Sequence, residues 1–295
     1  MADPGGPASP HGFPRVARLD ADVALRQLAD VAGVRLELEG PCPGGQVGAA
    51  YVRWPDGRRS VLTSGPPGSS SAARRTESLL AVGRAHGVPA PRYELVQELP
   101  DAVLIVQELL PGSPPAAVGR RTVESMLAVN RRCRGILAGR DDPAPSLYLR
   151  EDGPGFCLHQ PLAGYDRRTA RLLAAIEEAG AAVPECLPGD DLVHFDFHPE
   201  NVLVDPAGAV TGVVDWDGAG RSHGYFDLFT LRFDLARRAP ELGRWLAAQL
   251  QGTAPDGVVL ACWAHLSLHL VDWSIRHFSA PYVTTWLGVA ESLRP

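Results

Sequence analysis

Between Asp191 and Asp217 the chain reads as two short β-branched strands around a tight reversal, and this stretch restricts the fold more than any other. The strands are Asn201–Val204 and Ala209–Val214. They are joined by Asp205-Pro206-Ala207-Gly208, in which proline presets φ and glycine closes the reversal. A hairpin with that turn carries its outer ends to the same side, so Asn201 and Asp215 approach each other, with Asp196 in a short loop just upstream. An amide oxygen and a carboxylate oxygen are hard ligands suited to Mg²⁺. The competing interpretation is a hairpin whose acidic ends are merely solvated.

A carboxylate beside a two-oxygen magnesium site is what phosphoryl transfer needs. The metal neutralises the phosphates, while the carboxylate orients an attacking hydroxyl and accepts its proton. The run His194-Phe195-Asp196-Phe197-His198-Pro199-Glu200-Asn201-Val202-Leu203, followed by Val214-Asp215-Trp216, resembles the aminoglycoside phosphotransferase family, which also contains other antibiotic and small-molecule kinases. That resemblance implies an α+β, bilobal, protein-kinase-like fold with a β-rich N-terminal lobe and a mainly helical C-terminal lobe. It implies that Asp196 is catalytic, that His194 props its loop, that Asn201 and Asp215 bind Mg²⁺, and that Asp217 contacts metal or substrate. ATP or GTP is the expected co-substrate.

Several partners are excluded by the charge pattern. A net charge of −6 without a dense basic run argues against nucleic acid or an anionic membrane surface. Five scattered cysteines, never spaced Cys-x-x-Cys, fit reduced cytoplasmic thiols better than disulfides or zinc. Residues 1–14 are Pro/Gly-rich with no apolar run, and are expected to be a disordered tail and not a signal peptide. The apolar stretch Val258–Ile275 is interrupted by His265, His269 and Asp272, so a buried helix is expected there and not a membrane span.

The N-terminal part, residues 15–112, reads as a helix over Asp20–Ala32, capped by Asp20 or Asp22, and then strands at 34–39, 49–54 and 59–63. Between the first two strands, Gly44 and Gly45 lie in a Gly/Pro cluster that either closes over phosphates or is a plain hairpin loop. The family places a phosphate-binding lysine on the third strand. Here the best-aligned residue is Thr63, and every basic residue in the chain is arginine. Glu77, in a helix over 71–86, stands where the lysine's acidic partner lies. It is expected to be solvated or to pair with an arginine such as Arg53 or Arg59, whose planar fork differs in reach from lysine. Strands over 92–97 and 102–107 lead to Glu108, Leu110 and a Pro-Gly stop. By resemblance this is the hinge that meets a purine edge; by pattern alone it is an edge strand entering a loop.

The C-terminal part, residues 113–295, reads as helices over 121–139 and 167–182 around an irregular region at 141–164. The hairpin follows, and then helices opening at Gly224 and running over 240–250 and 258–277. Asp227 either braces the catalytic loop, as the family implies, or caps a helix. His265 and His269 share a helical face, with packing or substrate contact favoured over zinc. With Asp272 and Trp273 they are candidates for an acceptor-binding wall suited to a sugar or nucleoside, set against plain core packing.

The resemblance and the arginine-only, Ala/Gly/Pro-rich composition imply a bacterial antibiotic kinase conferring resistance. Two alternatives stand beside it. One is a metabolic kinase acting on choline, homoserine or a monosaccharide. The other is a nucleotide-binding pseudokinase with a regulatory role, which Thr63 favours.

Overall fold

The computed structural model describes residues 18–43 and 48–295; the expected tail at 1–14 and the Gly44-Gly45 pair lie outside them. The N-terminal part is a five-stranded antiparallel sheet in the order β1-β2-β3-β5-β4, formed by β1 (Glu37–Pro41), β2 (Ala50–Arg53), β3 (Arg59–Gly65), β4 (Tyr93–Glu98) and β5 (Val103–Glu108). β5 lies between β3 and β4, and its unbroken run Val103-Leu104-Ile105-Val106 is buried on both faces. Such a run is what a strand covered on both sides requires.

Helix α1 (Ala21–Ala32) covers one face of the sheet, packing Ala24 and Leu28 with Val52, Leu62, Leu104 and Val106. Full burial of Leu28 alone stabilises this layer by about 1.5–3 kcal/mol. Of the two candidate caps, Asp20 is the one used, its carboxylate accepting from Val23 N–H at 3.1 Å. Helix α2 (Ser70–Ala85) covers the other face through Ala73, against Val96, Val103 and Ile105. Farther along α2, Leu79 and Leu80 join the core of the C-terminal part.

That part is mainly helical, with α3 (Arg120–Arg132), α4 (His159–Tyr165), α5 (Arg167–Ala182), α6 (Tyr225–Arg238), α7 (Pro240–Leu250), α8 (Asp256–His277) and α9 (Ala280–Ser292). α8 is long and apolar enough by composition to cross a membrane, but it packs against α4, α5, α6 and α9, and Trp263, Leu266, Leu268, Val271 and Ile275 are buried in the core. Two small ribbons complete the part: β6 (Asp191–Val193) with β9 (Gly220–Ser222), and β7 (Val202–Val204) with β8 (Val210–Val213).

Several elements differ from the sequence reading. α3 stops at Arg132 and not at residue 139, because Gly135 and Gly139 take left-handed φ values of 67° and 77° that end the helical path. The region at 141–164, expected to be irregular, contains the start of α4. α9 is an additional helix, buried through Val283, Trp286 and Leu287.

The segment after β5 is strapped to the β7–β8 hairpin. Ser113 and Val204 exchange main-chain hydrogen bonds at 3.3 and 2.9 Å, and the Thr211 hydroxyl donates to Pro111 O at 2.6 Å. Gly112 passes there with φ of 102°, and a Cβ at that position would lie 2.8 Å from Val204 O. The sheet and the hairpin are thereby held in register.

Candidate active site

β6 delivers the chain to His194, and the following loop is fixed from beneath. The main-chain N–H of His194 donates to both carboxylate oxygens of Asp227 at 3.1 and 3.0 Å, and that of Phe195 donates to Asp227 Oδ1 at 3.0 Å. Gly224 occupies the N-cap position of α6, so of the two roles left open for Asp227, the brace is the one the geometry gives. Phe195 itself has φ of 69°, a left-handed conformation that costs on the order of 1–3 kcal/mol for a residue with a side chain.

His194 then ties this loop to the hairpin. Its Nε2 donates to Val214 O at 2.8 Å and its Nδ1 accepts the Asp196 N–H at 3.2 Å, which fixes a neutral tautomer. Burial lowers its pKa to about 4, in agreement with that neutral state. The Trp216 ring lies against it, with centroids 4.5 Å apart.

Asn201 sits in a single 3-10 turn, Pro199–Asn201, and not at the start of the strand as expected, because Pro199 begins a turn that Asn201 N–H closes onto His198 O at 3.0 Å. Its Nδ2 donates to the carbonyl and to Oδ2 of Asp196, each at 2.9 Å. With the amide NH₂ so engaged, Oδ1 remains for a metal. The Val214 N–H donates to Asn201 O at 2.9 Å, so the residue preceding Asp215 is held through its N–H by Asn201 and through its carbonyl by His194. Asp215 follows with φ of 64°. The structure therefore gathers Asp196, His194, Asn201 and Asp215 in one place.

Asp215 and Asp217 are both exposed, yet protein surrounds them closely enough for desolvation to raise both carboxyls. Asp215 rises to about 7, with the charges of Asp217 and Asp196 adding to the effect. Acidic groups collected this way are relieved by a divalent cation. The available donors, Asn201 Oδ1 and the Asp215 carboxylate, are hard oxygens of the kind Mg²⁺ takes, so the residues present fit that ion. For Asp196, burial favours the neutral acid, but His198, whose Nε2 lies 3.3 Å from Oδ2, outweighs it together with His269 and His194, and the carboxyl is held below the usual range. His198 shows the reciprocal balance: burial opposes its charging, and Asp196 lifts it to about 9.

His198 was spelled out in the motif without a role; its position two residues after Asp196 was the signal. Tyr93 also belongs here and carried no signal. Its N–H donates to Glu77 Oε2 at 2.8 Å, and its phenol is raised by burial and then by Asp217 and Asp215.

Around the expected nucleotide site, Thr63 pairs with Ile105 across β3–β5 and so shares the sheet face that α2 covers. Glu77 is half-buried and pairs with neither Arg53 nor Arg59. Its partner is Arg84, two turns farther along α2, at 2.5 Å. Arg53 and Arg59 are instead both drawn to Glu39 on β1. Glu108 N–H is engaged by Arg92 O at 2.9 Å, while Leu110 packs its side chain over Gly212 of the hairpin.

The acceptor-side candidates separate. Asp272 is fully buried; its Oδ2 accepts from Leu158 N–H at 2.9 Å and pairs with Arg276 at 3.4 Å. This placement corrects the substrate contact expected of it: the carboxylate anchors the loop before α4. Trp273 packs against Phe278 and Tyr282, with centroids 4.5 and 5.7 Å away, so its surroundings are those of core packing. His265 is buried, with Nδ1 against Leu147 O at 2.9 Å. His269 is the member of this group close enough to Asp196 to bear on its charge.

Comparison with known proteins bears on the family and the fold. The model of the phosphotransferase enzyme family matches residues 40–265. No curated protein matches. Among solved structures, a thermostable mutant of the aminoglycoside phosphotransferase APH(4)-Ia is similar at a TM-score of 0.61 and 16% identity, over 91% of this chain and 97% of its own. The macrolide 2′-phosphotransferase MphH of Brachybacterium faecium is similar at a TM-score of 0.52 and 21% identity, over 91% and 98%. A Haemophilus somnus protein assigned as a fructosamine-3-kinase is similar at a TM-score of 0.55 and 10% identity, over 92% and 96%. These likenesses establish the α+β, kinase-like fold.

Proposed function

The chain belongs to the phosphotransferase enzyme family, and from that premise we propose that it moves the γ-phosphoryl group of ATP or GTP to a hydroxyl of a small-molecule antibiotic. The observation that carries this reading is the Asp196–Asn201–Asp215 constellation, with Asn201 bridging the catalytic carboxylate to the metal side. Mg²⁺, when bound by Asn201 Oδ1 and Asp215, supplies charge neutralisation at the nucleotide phosphates. Asp217 stands beside that pair as a further candidate contact.

The chain's own residues do the rest. Asp196, held ionised chiefly by the charged His198 imidazole beside it, accepts a hydrogen bond from the acceptor hydroxyl, orients it and takes its proton. His194 and Asp227 keep that carboxylate in place through the loop backbone. The nucleotide is assigned to the region of residues 15–112 that faces this loop, near Thr63, Glu77, Glu108 and Leu110, and the acceptor to the side of His269, within residues 113–295. An ADP and hygromycin B complex of the APH(4)-Ia mutant supports a nucleotide and a small-molecule acceptor for a fold of this kind. The described cysteines are all outside disulfides, in keeping with a cytoplasmic enzyme.

A second reading, a metabolic kinase with a sugar-type acceptor, draws on the likeness to the Haemophilus somnus protein. The test for both is a screen of aminoglycosides, macrolides, amino sugars and simple alcohols with ATP and GTP, with Mg²⁺ and with chelator, read by a mass gain of one phosphate. A phosphorylated antibiotic formed only with Mg²⁺ is expected. A product from simple sugars alone would move the assignment to the metabolic reading. Tight Mg-nucleotide binding without product from any acceptor would overturn both in favour of a pseudokinase.

A further inference from the structure

His265 and His269 are four residues apart on α8 and project from one face, their rings stacked with centroids 6.0 Å apart. The loop before α4 brings a third donor to them. Leu158 N–H is bound to Asp272 Oδ2 at 2.9 Å, and this bond pins the loop to α8 one turn beyond His269, with Cys157 adjacent in sequence. One ring nitrogen from each histidine and Cys157 Sγ lie within 4.8 Å of one another. We propose that Cys157, His265 and His269 form a binding site for a transition-metal cation of the zinc class, separate from the magnesium pair.

The ligand chemistry favours this assignment. Leu147 O can only accept a hydrogen bond, so at 2.9 Å it fixes the proton of His265 on Nδ1 and leaves the Nε2 lone pair for a metal. An imidazole oriented through its other nitrogen by a carbonyl is the usual support of a metal-ligating histidine. His265 is buried and His269 half-buried, surroundings that favour the neutral imidazole ligation requires. Cys157 is 4% exposed and is a thiol until it is ligated, since burial raises it to about 12. Binding therefore exchanges its S–H proton for the metal: M²⁺ and Cys–SH give Cys–S–M⁺ and H⁺, with no redox change.

Two nitrogens and a thiolate select zinc-class ions over Mg²⁺, while Asn201 and Asp215 do the reverse. Ligand atoms around tetrahedral zinc lie roughly 3.3–3.8 Å apart, so the trio closes by no more than about 1.5 Å on binding and leaves a fourth position. Asp272 Oδ1, buried and accepting none of the described hydrogen bonds, stands beside the cluster as an additional acceptor.

The test is a Co²⁺ titration of the reduced, full-length protein, followed by absorption spectroscopy, with Zn²⁺ competition by calorimetry. One equivalent should produce a thiolate-to-cobalt charge-transfer band that Zn²⁺ abolishes. Cys157→Ser should remove the band, and Cys157→Ser and His265→Gln should each weaken Zn²⁺ binding by more than about 100-fold, beyond the 10–100-fold effect of losing an outer partner. Cys186→Ser should leave both unchanged. Circular dichroism confirms that each variant is folded, and His265→Gln decides the matter if Cys157→Ser is not. No stoichiometric band in the wild type, or a band that survives both ligand substitutions, would overturn the proposal.

Discussion

Asn201 Nδ2 is shared between the main-chain carbonyl and the Oδ2 of Asp196, at 2.9 Å to each. One side chain thus orients the Asp196 carboxylate with its donor end and presents its acceptor end to the proposed metal position. The same residue receives the Val214 N–H at 2.9 Å, which sets the distance to Asp215 through a single peptide. The site is consequently one hydrogen-bonded unit, and each of its supports has a measurable role.

The first support is Asp227. Replacing it by alanine leaves the buried N–H groups of His194 and Phe195 without their acceptor, at a cost of about 1–3 kcal/mol each. Asp227→Ala should therefore lose about 2–6 kcal/mol in urea unfolding. In the folded fraction kcat should fall far more than nucleotide KM changes, since the loop and not the nucleotide contact is disturbed. Unchanged stability with unchanged kcat would refute the bracing role.

Gly112 tests the strap between the sheet and the hairpin. At φ of 102°, with Val204 O 2.8 Å from where a Cβ would stand, Gly112→Ala should lose on the order of 2–3 kcal/mol and raise nucleotide KM. Gly119, where a Cβ would meet nothing within 4 Å, is the matched control and should tolerate alanine. Equal melting temperatures for the two variants would contradict this account.

His265 gives a pH prediction whose sign follows from its lowered pKa, about 4 against the ordinary 6.5. Below about 6.5 the unfolded chain takes up this proton while the folded chain does not until about 4, so this group removes stability as pH falls through that window. The full effect is on the order of 3 kcal/mol. The raised carboxyls of Asp215, Asp227 and Asp272 act in the opposite sense and are common to wild type and variant. With chelator present, His265→Gln should lose less stability than wild type between about pH 7 and about pH 4.5, measured by urea unfolding. Equal losses would show that His265 is not held neutral by burial.

The site was legible in the sequence where its geometry is local. The turn Asp205–Gly208 forces Asn201 and Asp215 together whatever surrounds them, and Asp196 is tied to Asn201 across five residues. The sheet was legible because its strands alternate or, in β5, run continuously apolar. What depends on distant packing was not. Glu77 found Arg84 along its own helix and not a cation on β3. α9 escaped because its apolar residues, interleaved with Thr284 and Thr285, lack a charged face to mark a helical period. Cys157 meets His265 and His269 where Asp272 captures the loop that precedes α4, a contact no local pattern announces.

The most direct measurement is steady-state phosphotransfer by Asp196→Asn, alongside Mg-nucleotide binding by calorimetry. Loss of the general base should lower kcat by about 10²–10⁴-fold while the nucleotide affinity stays within a few fold, because Asn201 and Asp215 are untouched. Turnover within about tenfold of wild type would show that Asp196 does not take the acceptor proton, and the account would fail.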